Sequence, residues 1–176
     1  MKYYHVLKKE GYGEYEFMSH IRSGHIVECY RLDDSFLKIA PPNINTKGFK
    51  SEYDILKKIE HLSFVPKAIS YQKVDGLEIL VLSYLDGTPL NKTVYKKEHD
   101  KTILSHIKQL FDINIVHGDI KEDNVLILKD LVFLIDYDQS YEIEEGAFPD
   151  FKSSPDIIGN NKGLNYTKLM ETVKCY

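Results

Sequence analysis

One short region of the chain concentrates polar residues between two apolar segments. Asp119 and Asn124 lie in a polar turn, and Asp136 comes directly after the apolar run 133–135. Two apolar segments in this order predict a hairpin, which would bring the three side chains to one end of it. Two carboxylates and a carboxamide form a hard-oxygen site that suits Mg²⁺. With Lys121 as a nearby cation, such a site suits phosphoryl transfer, although each acid taken alone is more often a simple turn former.

The spacing of these residues resembles the catalytic loop of the protein kinase superfamily. The run that begins at His117 reads His-Gly-Asp-x-Lys-x-x-Asn, and residues 136–138 read Asp-Tyr-Asp in place of the DFG motif. The resemblance implies that Asp119 orients the substrate hydroxyl and accepts its proton, while Lys121 neutralises the γ-phosphate. It also implies that Asn124 and Asp136 hold Mg²⁺.

Upstream segments resemble the ATP-binding parts of the same superfamily, in the same order along the chain. Residues 36–39 resemble the strand whose lysine contacts the α- and β-phosphates, which would be Lys38. Residues 51–59 resemble the αC helix, so Glu52 is implied to pair with Lys38. Residues 81–85 fall where the hinge carries adenine. The ATP-binding residues implied by the resemblance are Lys38, Glu52, Gly24, Val27, Ser83, Tyr84, Leu85 and Leu126.

The elements that must position these residues alternate in an α+β order. Apolar alternation predicts strands at 15–17, 26–30 and 36–39, and apolar residues at helical spacing predict a helix over 49–62. A hairpin follows (68–71 and 77–82), then a second helix with Asp100 as its N-cap. A second hairpin (125–128 and 131–135) precedes an aperiodic stretch from 136 to 163 and a last short helix near 166–173.

Together with the resemblance, this order predicts a two-lobed protein-kinase-like fold in one minimal domain over residues 1–176. The N-lobe would cover about 1–83, with an antiparallel sheet and one αC-type helix. The hinge would fall at about 84–89, and a truncated helical C-lobe would cover about 90–176.

Composition sets limits on partners and compartment. The 176 residues suffice for one domain, and a net charge of −4 from 23 basic and 27 acidic residues argues against a nucleic-acid binder and a membrane-surface domain. No secretory signal pattern and no run of 18 apolar residues occurs, which predicts a cytoplasmic protein. Cys29 and Cys175 lack metal-ligand spacing, which predicts free thiols in a reducing compartment.

Some residues depart from the superfamily pattern. The glycine-rich loop is reduced to Gly24, because Gly11 and Gly13 lie too far upstream of the phosphate-binding lysine. Asp138 replaces the glycine of DFG, which predicts an atypical active site held in one state. No arginine follows Arg31, so the C-terminal part has no arginine to receive a phosphorylated loop, which predicts a constitutively active enzyme.

The sequence leaves several functions open. The first is a minimal, ATP- and Mg²⁺-dependent Ser/Thr protein kinase, favoured by Lys121 and by residues 153–156, which resemble a peptide-docking stretch. The chain resembles small bacterial effector kinases. This resemblance implies a location in the host cytosol and a protein partner such as the chaperone HSP90 or a ubiquitin-pathway protein. The alternatives are an aminoglycoside-like small-molecule phosphotransferase and a non-catalytic pseudokinase that acts as a binding module. We expect a monomer.

Overall fold

The computed structural model describes residues 3–10, 16–22, 26–41, 48–94 and 96–144. The chain divides into two compact units, Met1–Leu85 and Asp86–Tyr176. The first unit contains α1 (Tyr4–Lys9), β1 (Glu16–Arg22), β2 (Ile26–Leu32), β3 (Ser35–Ala40), α2 (Gly48–Lys58), β4 (Ala68–Val74) and β5 (Leu77–Ser83). The second contains β6 (Thr88–Pro89), α3 (Lys97–Phe111), β7 (Ile115–Val116), β8 (Val125–Leu128), β9 (Leu131–Leu134) and β10 (Tyr141–Glu142).

The first unit is built on a five-stranded antiparallel sheet with the strand order β1-β2-β3-β5-β4. Side chains alternate between its faces, so Leu37 lies with its cross-strand neighbours Tyr30 and Val81, while Lys38 lies on the opposite face. The α+β prediction with an antiparallel sheet is confirmed. The three strands predicted before residue 40 and the first hairpin are present, and the strands extend further than predicted.

Helix α1 is a correction, because the sequence predicts only strands in the first 40 residues. Val6 and Leu7 of this short helix are buried against the sheet face that carries Leu37. A six-residue helix is unstable alone, so this burial stabilises it. Beside it, the fully buried carboxylate of Glu28 accepts a hydrogen bond from the backbone N–H of Tyr3 (3.1 Å) and another from the Tyr30 hydroxyl.

Helix α2 packs against β4 and β5. It begins at Gly48 and ends at Lys58, four residues short of the predicted end at 62. Beyond this end the chain forms a tighter turn, in which the N–H of Leu62 donates to the carbonyl three residues earlier, that of Ile59 (2.9 Å). The buried side chains of the helix lie on one face, as the apolar spacing predicts. They are Phe49, Glu52, Ile55 and Leu56.

In the second unit, β6, β8 and β9 form one antiparallel sheet, β7 pairs with β10, and α3 packs against β7 and β9. The predicted N-cap at Asp100 is wrong, because α3 begins at Lys97. The backbone N–H of Lys96 donates to His99 Nδ1 (3.3 Å), an interaction that favours a helix start four residues earlier. The predicted hairpin of β8 and β9 is confirmed, with Lys129 at a φ of 59° in its turn.

The stretch predicted to be aperiodic from residue 136 begins with a turn at Tyr137–Gln139 and the short strand β10. Two residues of strand are too few to show periodicity, which explains why the sequence gives no signal. The predicted helix near 166–173, the stretch 153–156 and Cys175 lie outside the described residues. No helix within the described ranges is both long and apolar enough to cross a membrane.

Candidate active site

The first unit contains a buried ion pair between Lys38 on β3 and Glu52 on α2. Lys38 Nζ lies 2.9 Å from Glu52 Oε1 and 3.0 Å from Oε2, and both side chains are buried. Lys38 faces α2 because strand alternation places it opposite Leu37, and Glu52 lies on the buried face of its helix. The partner predicted for Lys38 is thus the one observed. A buried charge of this kind depends on its partner, since removing either leaves the other unpaired.

Glu78, which the sequence analysis missed, anchors the N-terminus of α2. Its Oε2 atom accepts the backbone N–H of Phe49 (3.2 Å), and its Oε1 atom accepts the hydroxyl of Tyr71 (2.9 Å) and lies 3.1 Å from Lys73 Nζ. A carboxylate at this position interacts favourably with the helix dipole. Glu78 thereby fixes the helix that carries Glu52. A signal was present in the sequence: one glutamate in an otherwise apolar strand over 77–82.

The predicted hinge residues follow the end of β5. The backbone N–H of Tyr84 donates to the carbonyl of Asp34 in the β2–β3 turn (2.6 Å). The guanidinium carbon of Arg31 lies 4.2 Å from the centre of the Tyr84 ring, a cation–π geometry. Tyr84 is therefore held within the first unit through both its backbone and its ring.

Three of the other predicted nucleotide-binding residues lie just after β5, in β2 and in β8. Leu85 is half-buried and ends the first unit, and Val27 is half-buried in β2. Leu126 is buried in β8, where it pairs with Pro89 and Phe133. Gly24 lies outside the described residues.

In the second unit, the turn before β8 gathers three of the predicted catalytic and metal-binding residues. Asp119 Oδ2 accepts a hydrogen bond from Lys121 Nζ (2.6 Å) and one from Asn124 Nδ2 (2.8 Å). Asn124 Nδ2 also donates to the carbonyl of Asp119 (2.9 Å). Both Asp119 and Asn124 are buried, while Lys121 is partly exposed. The turn thus holds a carboxylate in a fixed orientation beside a cation.

Electrostatics in this cluster keep Lys121 charged. Burial lowers the pKa of Lys121, but its hydrogen bond to Asp119 and the negative charges of Asp119, Asp136 and Asp138 outweigh burial, so the pKa is raised. A permanently charged ammonium group is what neutralisation of a phosphate requires.

His117 supports the same turn from inside. Its Nδ1 atom accepts the backbone N–H of Asp119 (3.3 Å), so Nε2 carries the proton that it donates to the carbonyl of Ile135 (3.0 Å). Its ring centre lies 4.4 Å from that of Tyr137. Burial lowers the pKa of His117 to about 4, although Asp136 and Asp119 act in the opposite direction. The ring is therefore neutral at neutral pH and supports the turn through its two hydrogen bonds.

Gly118 allows the backbone to pass close to the segment after Asp136. Its φ is +84°, and a Cβ atom there would lie 2.4 Å from the carbonyl oxygen of Gln139. The hydroxyl of the neighbouring Ser140, which is buried, donates to the carbonyl of His117 (2.8 Å). No side chain fits at this glycine without a shift of the backbone. The close contact supplies a steric reason for glycine at this position.

The donor set of this unit fits Mg²⁺. Asp136 follows β9 in a left-handed conformation (φ 68°), next to Ile135, whose N–H donates to the carbonyl of Asn124 (3.0 Å). The hydrogen bonds described for the side chain of Asn124 all use its nitrogen, so the amide oxygen is the atom that could bind a cation. Within the described part of the chain, no three His, Cys, Asp or Glu side chains form a metal site by themselves. Mg²⁺ takes one or two protein ligands and completes its shell with phosphate oxygens and water, so Asp136 and Asn124 would suffice to hold it.

Comparison with known proteins identifies the family. The sequence model of the RIO domain matches residues 5–151. A cyanobacterial protein named serine/threonine-protein kinase D, from Synechocystis sp., is 38% identical over 57% of this chain and 23% of its own length. The yeast serine/threonine-protein kinase MPS1 is 30% identical over 51% of this chain and 13% of its own.

A third relative is a serine/threonine-protein kinase of Arabidopsis thaliana, which is 29% identical over 82% of this chain and 32% of its own length. The chain therefore spans a third or less of these three relatives. The RIO match covers both the Lys38–Glu52 pair and the turn that holds Asp119. The chain belongs to the RIO domain family, an atypical group within the protein kinase-like superfamily.

Proposed function

We propose that the protein transfers the γ-phosphoryl group of ATP, with Mg²⁺, to serine or threonine hydroxyls of a protein substrate. The observation that carries this proposal is the turn in which Lys121 and Asn124 both hold the buried carboxylate of Asp119. Phosphoryl transfer depends mainly on such positioning and on charge neutralisation. The family match and the names of the relatives support the kinase class of reaction.

In this proposal Asp119 is the general base. Its carboxylate orients the acceptor hydroxyl and takes its proton as the oxygen forms a bond to the γ-phosphorus and the bond to the β-phosphate oxygen breaks. Lys121 neutralises charge on the phosphoryl group, and Lys38 binds the α- and β-phosphates while Glu52 orients it. Asp136 and Asn124 would hold Mg²⁺, which supplies charge neutralisation on the phosphates when bound.

A protein substrate, rather than a small molecule, is favoured by Lys121, the residue that protein kinases carry at this position. The relatives are named as Ser/Thr protein kinases, which points in the same direction. We further propose that activity needs no loop phosphorylation. In support, the Lys38–Glu52 pair is formed and no arginine follows Arg31. An effector role on a host protein is a further proposal from the sequence resemblance.

The test is transfer from labelled ATP, with Mg²⁺, to a protein panel and to a set of small alcohols including aminoglycosides. We expect label on serine and threonine, reduced at least about a hundredfold in Asp119→Ala and in Asp136→Ala. Asp130→Ala is the matched control, because Asp130 is exposed in the β8–β9 turn, and it should keep wild-type activity.

Label that appears in small alcohols alone would establish the phosphotransferase instead. Wild-type transfer by both active-site variants, or no nucleotide binding by the wild-type protein, would refute the proposal. Mass spectrometry completes the test: an active protein without phosphate on its own chain supports constitutive activity, and a strict need for loop phosphate contradicts it.

A further inference from the structure

The end of β5 contains an irregular hydrogen-bond pattern at Ser83. In a regular antiparallel ladder, two residues of a hydrogen-bonded pair exchange both of their N–H···O=C bonds. Ser83 and Lys67 make the first of these bonds, since the N–H of Ser83 donates to the carbonyl of Lys67 (2.9 Å). The return bond differs: the N–H of Lys67 donates to the hydroxyl oxygen of Ser83 (2.9 Å). The side chain of Ser83 thus takes the place of its own carbonyl.

The backbone bond of Tyr84 shows in which direction the backbone groups of Ser83 point. The N–H of Tyr84 donates to Asp34 on the β3 side of the strand, and backbone groups alternate in direction along a strand. Ser83 therefore directs its backbone groups to the other side, toward Lys67. On that side, the Ser83 carbonyl would accept the N–H of Lys67 if the hydroxyl did not.

We propose that the Ser83 hydroxyl is a positioning residue that keeps the Ser83 carbonyl out of the sheet, so that this carbonyl can accept the 6-amino group of a purine. The inference rests on the proposed function, in which residues 83–85 carry the adenine of ATP. It adds a specificity: the free carbonyl accepts from a 6-amino purine and repels the 6-oxo oxygen of a guanine or hypoxanthine nucleotide, which is also an acceptor.

Loss of the hydroxyl should weaken this selection. In Ser83→Ala the Lys67 N–H has no side-chain acceptor, and the Ser83 carbonyl is the acceptor that a regular ladder places opposite it, so the N–H turns to that carbonyl. The carbonyl is then drawn into the ladder and away from the nucleotide. A neutral hydrogen bond contributes about 1 to 1.5 kcal/mol, which corresponds to roughly a fivefold to tenfold change in affinity.

The experiment measures dissociation constants of ATP and inosine triphosphate by calorimetry for the full chain. These nucleotides differ only at position 6 of the base and in the N1 proton that goes with it. We expect Ser83→Ala to bind ATP about fivefold to tenfold more weakly and inosine triphosphate within about twofold of wild type. Ser83→Thr, which keeps the hydroxyl, should retain the preference for ATP. Ser70→Ala is the matched control, since Ser70 is a half-buried serine of β4 outside the hinge.

Two results overturn the inference alone: an unchanged ATP affinity in Ser83→Ala, or an equal loss for both nucleotides, which a merely structural role would give. In either case wild-type protein that binds ATP and transfers phosphate leaves the proposed function standing. A wild-type protein that binds neither nucleotide overturns the proposed function and this inference with it.

Discussion

Acidification is expected to destabilise the protein through the buried ring of His117. In the folded protein the neutral ring joins two backbone groups: Nδ1 accepts the N–H of Asp119, and Nε2 donates to the carbonyl of Ile135. A proton on Nδ1 would face the N–H of Asp119, donor against donor. Burial already lowers the pKa of His117 to about 4 from the ordinary 6.5, so the folded protein resists protonation throughout that interval.

The sign of the effect follows from proton binding in the two states. Between pH 6.5 and about pH 4 the unfolded chain carries the proton on this histidine and the folded protein does not. The free energy of unfolding therefore rises with pH across this window. The contribution of the neutral His117 ring is fully present above pH 6.5 and is lost as the pH falls toward 4. A shift of this size corresponds to about 3 kcal/mol in all, and to about 2 kcal/mol between pH values of about 7.5 and 5.

Urea denaturation at these two pH values measures this loss. His117→Gln has no group that titrates there, so its stability should fall by about 2 kcal/mol less than that of the wild type. His61→Gln, which changes an exposed histidine, should retain the wild-type pH dependence. Equal pH dependence in His117→Gln and wild type would refute the assignment of a neutral, buried ring.

Two further substitutions test the backbone and helix contacts. Gly118→Ala meets both a left-handed φ and the carbonyl of Gln139, whereas Gly76→Ala meets a similar φ (+74°) with nothing within 4 Å. We expect thermal denaturation to show a loss of about 1 kcal/mol for Gly76→Ala and at least about 2 kcal/mol more for Gly118→Ala, and equal losses would contradict the close contact. Glu78→Gln, which weakens the anchor of α2, should lower kcat of phosphate transfer several-fold, while Glu60→Gln at an exposed site should not. An unchanged kcat in Glu78→Gln would show that α2 needs no such anchor.

The sequence predicts the parts of the fold in which local pattern and long-range contact agree. Apolar alternation over 36–39 and helical spacing from residue 49 correctly place Lys38 on a strand and Glu52 on a helix face. The two hairpins follow from apolar runs separated by polar turns. Motif spacing also predicts that Asp119, Lys121 and Asn124 lie together, because they are close in sequence. Their hydrogen bonds in one turn confirm this placement.

Other features depend on contacts that no local pattern records. Helix α1 is stabilised by burial against β2, β3 and β5, which are distant in sequence. The start of α3 is accompanied by hydrogen bonds between Lys96 and His99, which apolar spacing does not reveal. The acceptor role of the Ser83 hydroxyl requires the position of Lys67, which only the folded sheet supplies. The lobe limits, the site roles, the host partner and the monomeric state stay predictions.

The buried carboxylate of Glu28 has a practical consequence for work with this protein. Because Tyr3 donates to it directly, this residue ahead of α1 contributes to the stability of the sheet. Trimming the chain to begin at β1 would remove this donor and expose Leu37 and its apolar neighbours to water. Such shortened versions should be prone to aggregation, and affinity tags are better separated from the N-terminal helix by a spacer.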